Sequence, residues 1–175
     1  PQRRLHYTAV LKGFLSLISL QFPSGTQGHQ LDAFSRRALW DLGLDFDHGT
    51  GHGVGHQLLI HEQPHRIAKK VNPWPLVAGN IITIEPGYYL ADAYGIRIEN
   101  QVEVVESLPG FCKFASLTLI PIDLSQVELH LLSEQEKQWL DDYHQQVRET
   151  LSPRVNAEAR PWLFAATAPI RVQAN

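Results

Sequence analysis

Three segments of this sequence hold the side chains best suited to chemistry. Residues 48–55 read His48-Gly49-Thr50-Gly51-His52-Gly53-Val54-Gly55. Glycine at every second position makes a helix there costly and lets backbone and imidazole approach a compact site. In Ile82-Thr83-Ile84-Glu85 the isoleucines alternate with polar residues, which puts Glu85 opposite the apolar face of a strand. In Ile96-Arg97-Ile98-Glu99 the same alternation sets Arg97 and Glu99 together on the polar face. Alternation alone equally describes a half-solvated sheet with exposed charges. The glycine-flanked His52 upstream adds an imidazole to two strand carboxylates, and that is a common donor set for a divalent metal.

The elements that must position these groups are legible from periodicity. Leu5, Val10, Leu11, Phe14, Leu15 and Ile18 recur at helical spacing and predict an amphipathic helix ending before Pro23. Phe22-Pro23-Ser24-Gly25 is a turn signal. A second helix is predicted with Leu31, Phe34, Ala38, Leu39 and Leu42 on its buried face and Gly43 as its C-terminal cap. Strand-like runs begin at Leu58-Leu59-Ile60 and occur at 80–85, 88–90 and 95–105. Ser133 and Glu136 form a capping-box pattern before a helix with Leu140, Tyr143, Val147 and Leu151 on one face. Trp162, Leu163 and Phe164 are expected to tuck against the core. This order, helices followed by strands and then a helix, predicts an α+β fold with helices on one side of an antiparallel-rich sheet.

Composition narrows the function. Hydrophobic residues make up 43% and charged residues 19% of the 175 residues, proportions of a globular chain rather than a disordered one. The net charge of −3 and the lack of a basic run argue against nucleic acid as a partner. The apolar stretch from Leu5 to Leu20 is interrupted by His6, Lys12 and Ser16, so neither a membrane partner nor a signal peptide is expected. One cysteine, Cys112, excludes an internal disulfide framework and fits a reducing compartment.

Several motifs fail in context. His61-Glu62-Gln63-Pro64-His65 matches the zinc-peptidase pattern in letters, but that site needs both histidines on one helix face and Pro64 breaks a helix. The glycines of 49–55 are followed by no phosphate-binding lysine. No Gly-x-Ser-x-Gly elbow occurs, and nothing near Cys112 would activate a thiol.

Taken in order, His48-Gly-Thr-Gly-His52-Gly-Val-Gly, His61-Glu62, Ile84-Glu85-Pro86-Gly87-Tyr88-Tyr89 and Gly95-Ile96-Arg97-Ile98-Glu99-Asn100 resemble the catalytic domain of the Xaa-Pro aminopeptidases, or aminopeptidase P. These belong with methionine aminopeptidase and prolidase among the pita-bread metallopeptidases. The likeness reaches the tail helix at Glu136 to His144. It implies the C-terminal portion of a pita-bread fold, with a curved sheet. By motif, His52 corresponds to the family's histidine ligand, Glu85 to its first glutamate and Glu99 to the glutamate that bridges both metals. His48 and His61 fall on histidines lining the substrate site, and Arg97 on an arginine that holds the metal-site carboxylates.

The family also uses two aspartates, normally upstream in an Asp-Gly or Asp-x-Gly context. Asp32, Asp41, Asp45 and Asp47 do not match that context. With Pro1 first and no methionine, residues 1–175 are therefore expected to be one catalytic-domain portion truncated on its N-terminal side. His56 and Gln57 replace the more usual small residues, without touching an expected ligand. For the complete enzyme the resemblance implies two divalent ions, manganese first with zinc or cobalt as other choices. It also implies a peptide substrate with proline second, a cytoplasmic setting and a homo-oligomer. The chain itself is expected to hold at most one ion, weakly, with little or no activity. The rival reading is a non-catalytic pita-bread binding or assembly module.

Overall fold

The first helix, α1 (Gln2–Ile18), is enclosed around most of its circumference rather than amphipathic, because neighbours cover both its faces from His6 onward. The computed structural model describes residues 1–57 and 59–170. After α1 come β1 (Gln21–Pro23), α2 (Asp32–Trp40), β2 (Gly51–Gly53), β3 (Glu62–Ile67), β4 (Ile81–Ile84) and β5 (Gly87–Leu90). They are followed by β6 (Tyr94–Arg97), β7 (Asn100–Glu106), β8 (Phe111–Ser116), α3 (Glu134–Leu151) and α4 (Ala159–Ala166). The chain divides into two compact units, Pro1–Thr118 and Leu119–Asn175.

In the first unit, six strands form one antiparallel sheet in the order β1-β8-β7-β4-β2-β3. β5 and β6 form a separate antiparallel hairpin. α1 packs on α2 and on β4, β5 and β6. The close approach of α1 to α2 needs Gly13, since a Cβ there would collide with the Ser35 carbonyl. The core gathers Val10, Leu11, Phe14 and Leu17 of α1 with Ile82 and Ile84 of β4 and Val102 and Val104 of β7. The alternation of β7 delivers those valines to one face.

α2 departs from the sequence expectation. Leu31 and Leu39 are buried, but Phe34 and Leu42 are exposed, and Asp32, Ser35 and Arg36 complete the inward face. Partners far along the chain make this polar face stable, as described below. The strand expected from Leu58 starts later, at Glu62. Ile60 is 67% exposed, and the chain at Leu59 is turned back by a hydrogen bond from the Gly55 amide to the Leu59 carbonyl (2.8 Å). Leu58 itself lies outside the described residues. Because Glu62–Ile67 is extended, His61 and His65 do not share a helix face, and the helical zinc site is excluded.

In the second unit, Ser133 caps α3 as expected. Its Oγ accepts from the Glu136 amide (3.2 Å), and the Glu136 carboxylate accepts from the Ser133 amide (2.7 Å). Leu140, Tyr143 and Val147 are buried along one face of the helix. The region beyond Pro153 is more regular than expected, since α4 forms there. Leu163 is 1% exposed, but Trp162 is 63% exposed and Phe164 is also exposed. Successive helical residues point about 100° apart, so three neighbours cannot all face inward.

Candidate metal and peptide site

The central position of β2, between β3 and β4, brings the glycine-histidine loop onto the strand that precedes Glu85. Gly51 permits the approach, because a Cβ there would strike the Thr83 backbone. The Glu85 amide donates to the Thr50 carbonyl (2.7 Å), so the carboxylate leaves β4 tied to the same loop.

His52 and Glu85 meet directly, with Nε2 and Oε1 3.1 Å apart. Thr83 braces both. Its Oγ1 accepts from the His52 amide (3.1 Å) and donates to Glu85 Oε1 (3.1 Å). His52 Nδ1 lies 2.9 Å from the Gly53 carbonyl, and since a carbonyl only accepts, Nδ1 carries the hydrogen. In a neutral imidazole, Nε2 then aims a lone pair at a carboxylate oxygen. A proton or a cation between them resolves that conflict. A ligand histidine oriented by a carbonyl on its other nitrogen is the usual arrangement at metal centres.

A second group joins this pair. Arg97 Nη1 stands 3.4 Å from Glu85 Oε2. Its Nε donates to the Tyr89 hydroxyl (2.7 Å), which in turn donates to His48 Nε2 (2.8 Å). The donor role of Tyr89 follows from His48 Nδ1, which lies 2.8 Å from the Gly49 carbonyl and must carry that ring's hydrogen. A chain of polar contacts thus runs from His48 through Tyr89, Arg97 and Glu85 to His52. The His61 ring stands edge-on to the His52 ring, with centroids 4.3 Å apart.

His48, His52, His61, Arg66, Glu85 and Arg97 line one cleft of about 240 Å³. Five of the six site residues expected from sequence therefore share it. Glu99 is the sixth. It stands at an exposed position beyond β6 and senses the same centre electrically. Loss of surrounding water raises its pKa, and the Glu85 carboxylate raises it further, against the opposing pull of Arg97, His52 and His61. Two carboxylates and one imidazole fit a divalent cation by donor chemistry. Among the described residues, no three His, Cys, Asp or Glu side chains are gathered closely enough to hold an ion.

Beneath the loop lies a polar cluster that the sequence did not announce. Arg36, 1% exposed, donates through Nε to Asp32 (2.6 Å) and through Nη1 to Asp45 (2.8 Å) and the Phe46 carbonyl. Its Nη2 donates to the His48 carbonyl (2.9 Å), and its guanidinium covers the Phe46 ring at 3.8 Å. The Thr50 hydroxyl donates to Asp32 (2.7 Å). Burial would raise the pKa of Asp45, but hydrogen bonds from Lys69, Arg36, the Phe46 amide and Trp40 outweigh it and hold the carboxyl well below its ordinary range. Thr83 was within reach of the alternation argument, because it shares a strand face with Glu85. Tyr89 and Arg36 carry no local signal, since their partners are distant in sequence.

The comparisons with known proteins give the family of the chain. Residues 1–106 match the model of metallopeptidase family M24, and residues 110–170 match that of the C-terminal region of the same peptidases. The chain belongs to metallopeptidase family M24. It is 47% identical to an Xaa-Pro aminopeptidase of Caenorhabditis elegans over 95% of its own length and 29% of the relative's. A probable Xaa-Pro aminopeptidase P of Laccaria bicolor is 44% identical over 94% of this chain and 27% of that protein. The chain thus spans under a third of the length of these relatives.

The solved X-prolyl aminopeptidase of C. elegans, described as a cytosolic enzyme with a di-nuclear active site, superposes with a TM-score of 0.91 at 46% identity. The match covers 97% of this chain and 29% of that one. Prolidase from Pyrococcus furiosus gives 0.58 at 33% identity over 67% of this chain and 33% of its own. The expected fold, α+β of the pita-bread type with an antiparallel-rich sheet, is the one observed.

Proposed function

We propose that this chain is the C-terminal portion of the catalytic domain of a two-metal aminopeptidase that removes an N-terminal residue preceding proline. One observation carries the reading: His52 Nε2 faces Glu85 Oε1 at 3.1 Å, inside a cleft that also holds His48, His61 and Arg97. The names and di-nuclear site of the relatives support it. His52, Glu85 and Glu99 would hold metal, with manganese first and zinc or cobalt as other choices. When bound, such ions make a water acidic enough to lose its proton near neutral pH and polarise a peptide carbonyl.

The chain's own groups do the rest. Glu85, in contact with both His52 and Arg97, is placed to hold and pass a proton. His48 and His61 line the wall a peptide would meet; both ring nitrogens of His48 are engaged by Gly49 and Tyr89, so His61 is the one that would donate to a peptide oxygen. Arg97 fixes one carboxylate oxygen of Glu85 and, through Tyr89, the orientation of His48. The family's two aspartate ligands have no match here, so the 175-residue chain alone holds at most one ion, weakly, and hydrolyses little or nothing. The complete enzyme would be a cytoplasmic homo-oligomer acting on peptides with proline second. The relative described as cytosolic supports that setting. Among the described residues no helix is long and apolar enough to cross a membrane.

The test is metal content by atomic absorption after dialysis against manganese. At most one loosely held ion per chain is expected, lost in His52→Ala and retained in His65→Ala. Two tightly held ions, or binding that survives His52→Ala, would overturn the assignment. Hydrolysis of Xaa-Pro peptides by the full-length protein separates it from a non-catalytic module.

A further inference from the structure

We infer that His6 of α1 is a positioning residue for this cleft: through Tyr94 and Tyr88 it seats the β5–β6 hairpin, which presents Tyr89 and Arg97 to His48 and Glu85. The consequence for bound metal rests on the peptidase reading above. The hairpin is a plate with two faces. Its register pairs Tyr88 with Ile96 and Leu90 with Tyr94, and strand alternation puts these four side chains on one face. Gly87, Tyr89, Gly95 and Arg97 belong to the other. On that second face the Tyr89 ring lies across the two glycines. A Cβ at Gly87 would strike its hydroxyl, and one at Gly95 would press on its ring. Arg97 donates to the same hydroxyl and reaches Glu85.

α1 packs on both strands of the hairpin. There the His6 ring, 4% exposed, holds Nδ1 2.9 Å from the Tyr94 hydroxyl. It also stands edge-on to the Tyr88 ring, with centroids 4.5 Å apart. A buried imidazole is unfavourable unless it is hydrogen-bonded, and leucine would serve packing alone. What the imidazole adds is direction. Apolar contact tolerates sliding, whereas a hydrogen bond weakens steeply off its axis. Burial lowers the pKa of His6, so the ring is uncharged near pH 7 and pairs with Tyr94 as a hydrogen-bonding group. The hairpin needs such an anchor. It is a sheet of its own, outside the six-stranded ladder, and two strands alone are marginally stable. Tyr88 and Tyr89 are adjacent and point to opposite faces, so a shift of the face on α1 carries Tyr89 and Arg97 with it.

The test uses the full chain at neutral pH, isotope-labelled so that the Arg97 Nε–H resonance reports its bond to Tyr89. Tyr94→Phe removes one oxygen from the anchor and leaves its ring. It should move the Arg97 resonance while the amide resonances of α2 and β7 stay in place. It should also weaken manganese binding about tenfold, as loss of the support behind a metal site does. His6→Asn sets an amide where Nδ1 stood and should keep most of the parent's signal and affinity, whereas His6→Leu should lose both. An Arg97 resonance unmoved by Tyr94→Phe would overturn the inference, and so would equal losses in His6→Asn and His6→Leu. Shifts throughout α2 and β7 would overturn it as well, by making the bond a general support of the fold. A moved resonance with unchanged affinity, in a chain whose manganese binding depends on His52, would do the same. A moved resonance in a chain that binds no manganese would keep the role of His6 in seating Arg97 and remove the peptidase reading. Manganese binding that depends on His52, with the resonance unmoved, would do the reverse.

Discussion

Arg36 and Arg66 are the same residue in two different situations. Arg36 is sealed beneath the glycine-histidine loop, with Asp32, Asp45 and the Phe46 and His48 carbonyls taking its donors. Arg66 lies on the strand paired with that loop, half-buried in the cleft that His52 and Glu85 also line. In the cluster around Arg36 the donors and acceptors are closed upon one another. In the cleft, His52 and Glu85 face each other with lone pairs in conflict, and the Glu85 carboxylate raises the pKa of Glu99 outside it. Closed valence marks groups that shape the fold, and open valence marks groups that wait for a ligand. Charge alone would not separate the two arginines.

The largest expected effect breaks the closed side. Arg36→Met leaves Asp32 buried without its cation and frees the carbonyls beside His48. Removing one partner of a buried ion pair costs about 3–5 kcal/mol. Arg66→Gln breaks no hydrogen bond or ion pair among the described residues and should fall within about 0.5 kcal/mol of the parent. Chemical denaturation of both variants measures the difference directly. Equal losses would mean that Arg66 is structural and that the contrast is false.

A smaller effect sharpens the open side, where Thr83 braces both His52 and Glu85. Thr83→Val keeps the shape but leaves the His52 amide without its acceptor and Glu85 without the hydroxyl. Stability should fall by about 1–3 kcal/mol. Manganese affinity should fall about tenfold or more, as expected when the support of a ligand is removed. Calorimetric titration with manganese checks the second figure, and unchanged affinity would place Thr83 with the fold alone.

Much of this was legible in sequence where the governing contacts are local. The capping box at Ser133, the apolar face at Leu140, Tyr143 and Val147, and the alternation at 81–85 depend on neighbours a few residues away. The site residues were legible for a related reason, since glycine spacing and strand alternation fix which side chains can meet. The failures share the opposite cause. Asp32, Ser35 and Arg36 look like a solvent face of α2 until Asp45, Phe46, His48 and Thr50 arrive to bond them. β1 is only three residues long and exists because Phe111–Ser116 pairs with it from the far side of the chain. Ile60 and Trp162 are exposed although their side chains are apolar, and no local pattern distinguishes them from Leu163.

The smallest predicted effect concerns a third kind of valence, nearly closed but one bond short. In the second unit His144 is fully buried and its Nε2 accepts from the Ile122 amide (3.0 Å), while its Nδ1 has no hydrogen-bond partner among the described residues. Burial lowers its pKa from the ordinary 6.5, with Asp141 opposing the shift and Arg148 adding to it. An unfolded chain therefore takes up this proton at higher pH than the folded one. The stability contribution of the neutral ring is complete above pH 6.5 and is lost as pH falls from there through the folded-state pKa. His144→Gln keeps an acceptor for the Ile122 amide and removes the titration. Thermal midpoints measured from about pH 8 to about pH 5.5 should fall more steeply for the parent chain than for His144→Gln. His6 and His65, whose pKa values burial also lowers, are present in both proteins and cancel in the difference. Parallel curves would mean that His144 carries the same charge folded and unfolded, and its place in the core would then be stabilised by a contact other than the Ile122 amide.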